Sequence, residues 1–212
     1  FMQRAGAQDS DSIGLVDTPG VKHDRDEEAP LLEISAATLH RSLVALLNYI
    51  SQDRPDLSFS AKELSQTMAR PRVGDDRGIK RVVRYLHRFP EAAIVYRYQD
   101  DPSSISVFTD ADWGGCAMTR RPTSGGVVLR GSHLLCFWSK NQQCVALSSC
   151  ESEVNALVKG GTEGLGVKIM AEQCGEDLGL MLQTDASSAQ GLCARQGAGR
   201  VKHLTVRQLW AQ

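Results

Sequence analysis

The residues predict an α/β chain in two parts. A small helical segment comes first, and a mixed sheet follows, in which an antiparallel three-strand meander is joined by a parallel strand and flanked by helices. Three observations carry this expectation. Apolar residues recur every three or four positions between Ser35 and Phe89, the period of an amphipathic helix. After Pro90 the period falls to two, as in half-buried strands. The last strand-like run, GLMLQTD, is reached through a long helical stretch, and such a crossover makes it parallel to the first strand and its neighbour.

The size and composition suit one or two globular domains: 212 residues, 42% hydrophobic and 23% charged. Lys plus Arg (24) nearly balances Asp plus Glu (25), so no bulk charge draws the chain to polyanions, and any such partner must be held locally. The six cysteines form no C-x-x-C pair and no zinc-finger spacing, which reads as reduced thiols of an intracellular protein. No apolar run approaches the roughly 18 residues of a membrane span, and the N-terminus lacks the apolar stretch of a signal peptide. A first residue of Phe and a last stretch, VKHLTVRQLWAQ, with a helical pattern read as a fragment, truncated at its C-terminus.

Residues 1–35 are polar and read as a linker. Within them Asp17, Thr18, Pro19 and Gly20 mimic a GTPase switch, but no G-x-x-x-x-G-K-[ST] loop precedes them, so a turn is expected. Residues 36–92 read as three helices. Leu39, Leu43, Leu46, Leu47 and Ile50 mark the first, which Pro55 closes, and FSAKELSQTMA and DRGIKRVVRYLHRF give the others. The basic face of the third (Lys80, Arg81, Arg84, His87, Arg88) reads as solvated. Residues 93–212 carry the sheet. AAIVYRYQ, SISVFTD, SGGVVLRG and HLLCFWSK alternate as strands, the last two split by Gly131 and Ser132. SCESEVNALVKGGTEGLGVKIMAEQCG is helical, with Ser149 or Ser152 as its N-cap. Gly160, Gly161, Gly164 and Gly166 within it are expected to cost roughly 3–4 kcal/mol of helix stability. Trp113 and Trp138 read as core residues.

Acid at the tips of two strands calls for an explanation, because Asp is disfavoured in strands. SISVFTD ends in Thr109-Asp110 and GLMLQTD in Thr184-Asp185, and neighbouring strands would bring these aspartates to one sheet edge. Glu151 and Glu153 sit near the start of the intervening helix, where a carboxylate reaches a strand end. Acids so crowded raise one another's pKa unless a divalent cation neutralises them, and oxygen ligands with no His or Cys select Mg²⁺ or Mn²⁺. Two such ions serve phosphoryl chemistry. Taken singly, each acid reads better as a turn residue capping a backbone amide, and only the joint arrangement shifts the balance toward a metal site.

LHRSLVALLNYISQDRPDLSFSAKELSQTMARP, IKRVVRYLH, FTDADWGG, RRPTSGGVVL, WSKNQQCVALSSCESEVNAL and TDASSAQGL resemble, in order, the C-terminal part of the Pol polyprotein of copia-type retrotransposons, over roughly residues 15–212. The resemblance implies the end of a reverse transcriptase palm region (1–35), its thumb or connection (36–92), and a ribonuclease H-like domain (93–212) that lacks a final strand and helix bearing a fourth acidic ligand. It implies Mg²⁺-dependent hydrolysis of the RNA strand of RNA/DNA hybrids, leaving a 3′-hydroxyl. Asp110, Glu153 and Asp185 match the catalytic carboxylates and would hold two Mg²⁺ ions, with Mn²⁺ as substitute, while Asp112 and Glu151 fall outside the matched positions. Arg120, Arg121, Thr123 and Ser124 match a basic stretch suited to phosphate contact, with Lys140 and Gln142 as further candidates. The implied partners are the hybrid and the rest of the polyprotein, with no membrane. His203 and Thr205 fall in a family helix, where the family usually has an acid at the second position. Two rival readings stay open: a catalytically inactive remnant that at most binds nucleic acid, and a ribonuclease H-like module recruited for protein interaction.

Overall fold

The computed structural model describes residues 14–20, 26–116 and 119–195. The readings made for VKHLTVRQLWAQ, including His203 and Thr205, lie outside them. The chain divides into two compact units, Phe1–Ala93 and Ile94–Gln212. Among the described residues no helix is long and apolar enough to cross a membrane.

The first unit holds α1 (Ile34–Ile50), a single 3₁₀ turn (Pro55–Leu57), α2 (Ser58–Ser65) and α3 (Asp76–Arg88). Its core is Leu43, Val44, Leu47, Leu57, Ala61, Leu64, Ile79, Val82, Val83 and Leu86. Leu39, expected in the core, is 49% exposed, whereas Val44 is fully buried and His40 nearly so. The spacing of three and four fits both sets, and the packing of α2 and α3 selects the second. Pro55 opens an element rather than closing one, since its fixed φ suits a first helical position.

Arg54 clamps this unit. Its Nε and Nη2 donate to the Asp56 carboxylate at 3.0 and 2.7 Å, and Nη2 also donates to the Phe89 carbonyl at 3.2 Å, just past the end of α3. Tyr85 Oη donates to the same carboxylate at 2.9 Å. Burial pushes the Asp56 carboxyl up, but the bonds from Arg54 and Tyr85 outweigh it and hold it below the usual range. The basic face of α3 is less open than the sequence suggests. Arg81 donates to the Thr18 carbonyl and hydroxyl, Arg88 pairs with Asp17, and Lys80 pairs with Asp76.

The second unit is a four-stranded sheet in the order β3-β2-β1-β4. β1 (Ser104–Asp112), β2 (Thr123–Arg130) and β3 (His133–Asn141) form the antiparallel meander. After α4 (Ser149–Gln173), β4 (Gly179–Gln183) returns parallel to β1, and α5 (Ser187–Cys193) follows. The mixed α/β sheet is therefore the one the residue pattern predicts, and it is compatible with a ribonuclease H-like fold. Ile105, Val107 and Thr109 alternate inward on β1, buried with Val128, Trp138 and Leu178.

Two expectations fail here, both for non-local reasons. Residues 92–99 alternate like a strand yet form none. Their contacts run through side chains: the Gln99 amide donates to the Arg130 carbonyl at 2.9 Å and its oxygen accepts from Ser132 N at 2.8 Å, while Tyr96 Oη donates to the Leu134 carbonyl. Alternation alone does not supply a backbone ladder. The glycines of α4 are also not simply a loss. A Cβ on Gly160 would lie 2.4 Å from Thr109 Cγ2, and one on Gly164 would lie 2.7 Å from both Val107 Cγ2 and Leu180 Cδ1. Their absence lets α4 press directly onto β1 and β4. Gly166, with nothing within 4 Å, does match the expected cost.

Candidate metal centre

The parallel pairing of β1 with β4 builds the site. Phe108 lies opposite Gln183, so two residues further along each chain Asp110 and Asp185 come to the same end of the sheet. α4 supplies the third acid. Its N-cap is Ser148, one residue before Ser149 and four before Ser152, the two serines expected, and the Ser148 hydroxyl accepts from Glu151 N at 3.1 Å. The Glu151 carboxylate in turn accepts from Leu147 N at 2.7 Å, which explains why this glutamate is a cap and its neighbour at 153 is not. Glu153, one turn into the helix and 9% exposed, points under the strand ends.

Asp110, Glu153 and Asp185 each place a carboxylate oxygen within 4.8 Å of the other two. Ala111 N–H donates to the Glu153 carboxylate, yet Glu153 Oε2 is buried and has no partner among the described residues. Burial first, then the charges of Asp110 and Asp185, push the Glu153 carboxyl up to about 7, against a small opposing pull from the Ala111 amide. Buried acceptors are almost always satisfied, so an orphaned carboxylate oxygen facing two more acids fits the donor set of a cation site. The donor set is all oxygen, which suits a hard ion such as Mg²⁺.

The other expected residues divide by exposure. Arg120 and Arg121 are exposed in the β1–β2 connection, and Lys140 is exposed at the end of β3. Thr123 and Ser124 open β2 instead, buried, with their hydroxyls bonded internally to Asn141 Oδ1 and Gln142 Nε2. The phosphate contacts expected of these two hydroxyls give way to joining β2 with the end of β3. Trp138 is core, at 8% exposed, but Trp113 is 55% exposed, contrary to expectation. Gln142 emerges as a positioning residue: its amide donates to Ser124 Oγ and to the Ser152 carbonyl, and its oxygen accepts from Asn155, which ties the strand ends to the turn of α4 that carries Glu153. No sequence signal marks this role, because it depends on which elements meet.

Fold and site together define an α/β protein with a three-carboxylate centre at the end of a parallel strand pair. An uncharacterized mitochondrial protein of Arabidopsis thaliana is 33% identical over 123 residues, covering 58% of this chain and 51% of the relative. The retrovirus-related Pol polyprotein from transposon RE2 of the same plant is 31% identical over 172 residues, covering 80% of this chain and 12% of that polyprotein. A secreted RxLR effector protein of Plasmopara viticola is 30% identical over 125 residues, covering 59% of this chain and 87% of the relative. No family model and no solved structure matches. These relatives include retrovirus-related Pol polyproteins of copia-type transposons, and this chain is similar to one segment of them. It spans about half the length of the mitochondrial relative and about an eighth of the Pol polyproteins.

Proposed function

We propose that the second unit is a ribonuclease H-type nuclease that hydrolyses the RNA strand of RNA/DNA hybrids, within a Pol polyprotein whose reverse transcriptase thumb or connection is the first unit. The observation that carries this reading is the convergence of Asp110, Glu153 and Asp185, with Glu153 Oε2 buried and unpartnered. These three residues would hold two Mg²⁺ ions, with Mn²⁺ as substitute, and bound ions supply an activated water and stabilise the leaving oxygen. The chain's own groups do the rest. The Ala111 amide fixes the Glu153 carboxylate, and the Ser148 cap and Gln142 fix the helix turn that carries it. Arg120, Arg121 and Lys140 are exposed cations suited to hold the substrate backbone, supplying locally the positive charge that the chain lacks in bulk.

The test is cleavage of an end-labelled RNA/DNA hybrid by the purified chain with Mg²⁺, with excess chelator, and with Asp110→Asn. The expected result is Mg²⁺-dependent cutting of the RNA strand, leaving a 3′-hydroxyl, that Asp110→Asn abolishes. Equal cutting by wild type and variant, or hybrid binding without any cutting, refutes the nuclease reading; the second result marks an inactive remnant.

A further inference from the structure

Trp113 is a large aromatic that the core leaves out. It follows Ala111, whose amide holds Glu153, by two residues, and Gly114 at φ +67° turns the chain sharply after it. Its indole is not free to swing, because Nε1 donates to the Ala146 carbonyl at 2.9 Å. That bond ties the loop leaving β1 to the loop entering α4, so the indole sits between the two segments that deliver Asp110 and Glu153. Val145 and Leu147, on either side of Ala146, are 49% and 69% exposed. The same β1–β2 connection carries the exposed Arg120 and Arg121. A half-exposed indole held in one orientation, tied to a loop with exposed apolar residues and followed in its own connection by two exposed cations, is the composition of a contact surface rather than of an ordinary loop.

Its neighbours say what it meets. Cations point to a polyanion, and an aromatic face needs an apolar surface on that polyanion. In a duplex the base faces are already stacked on one another. What a hybrid with A-like geometry offers outward is the sugar edge of its wide, shallow minor groove. We infer that Trp113 is a positioning residue whose exposed indole face packs on a sugar ring of the strand being cut, next to the carboxylate cluster. This inference rests on the nuclease reading above.

Two substitutions separate the ring from its hydrogen bond. Trp113→Gln keeps a donor for the Ala146 carbonyl and removes the ring, whereas Trp113→Phe keeps a flat ring and removes the donor. Affinity is measured in the full chain carrying Asp110→Asn, by anisotropy of a labelled hybrid in Mg²⁺, and KM and kcat are measured in chains with Asp110 intact. Loss of the contact is expected to weaken binding about tenfold in Trp113→Gln, and less than about threefold in Trp113→Phe, with KM rising and kcat nearly unchanged. Binding by Trp113→Gln equal to that of its parent, or a Phe variant as weak as the Gln variant, overturns the inference while wild-type cleavage leaves the nuclease reading standing. A wild type that neither binds nor cuts removes both.

Discussion

Replacing Glu153 by Gln should stabilise the metal-free protein, although it removes a residue proposed to be essential. The Glu153 carboxyl is raised from 4.5 to about 7. Between those values the unfolded chain has released a proton that the folded chain keeps. The stability from this group is therefore fully present below about pH 4.5, declines as pH rises through the window, and is lost above about 7. At 1.36 kcal/mol per pH unit the loss is roughly 3 kcal/mol. Gln can still accept from the Ala111 amide, and its NH₂ can donate to Asp110 or Asp185, so the variant escapes this loss.

The assay is urea unfolding in chelator at pH 5 and pH 8.5, followed by tryptophan fluorescence. Trp113 and Trp138 lie in the second unit and the first unit has no tryptophan in its sequence, so the signal reports the second unit. Glu153→Gln should exceed wild type by roughly 2–4 kcal/mol at pH 8.5 and by under about 1 kcal/mol at pH 5. Millimolar Mg²⁺ should then stabilise wild type at pH 8.5 and leave the variant nearly unchanged, because binding only the folded state raises stability. A variant less stable than wild type at pH 8.5 in chelator would refute the electrostatic reasoning. Equal stabilisation of both by Mg²⁺ would refute the metal assignment.

Further outcomes follow from the packing. Gly160→Ala should destabilise the second unit by about 1–3 kcal/mol in the same assay, because its Cβ meets the buried, β-branched Thr109, whereas Gly166→Ala should stabilise it by about 0.5–1 kcal/mol. Arg54→Ala should lower the stability of the first unit by about 2–4 kcal/mol, read by circular dichroism at 222 nm, since it removes the charge that pairs with Asp56 and the donor to the Phe89 carbonyl. Ser148→Ala should cost about 0.5–2 kcal/mol through loss of the α4 cap and should weaken Mg²⁺-dependent stabilisation, because the turn that carries Glu153 loosens.

The strands that matter could be read directly because their instructions are local. Ile105, Val107 and Thr109 alternate, Thr-Asp closes two apolar runs, and a long helix between them forces the parallel return that aligns Asp110 with Asp185. Glu153 was separable from Glu151 only by resemblance; the cap at Ser148 supplies the physical reason, and three serines within five residues made that cap ambiguous by sequence. Trp113 and residues 92–99 misled for one shared reason, that an apolar or alternating pattern records what a segment is able to bury and not whether a partner arrives to cover it.

The order of residues alone thus settles the helices, the parallel strand pair and the two aspartates at its tip, since each follows from spacing along the chain. Tertiary contact decides the rest: that Gly160 and Gly164 are fitted surfaces, that Thr123 and Ser124 face inward, and that one oxygen of Glu153 is left buried beside two other acids. Those properties arise where segments far apart in sequence approach within a few ångströms, and close packing between them is a property of the pair that neither segment encodes by itself.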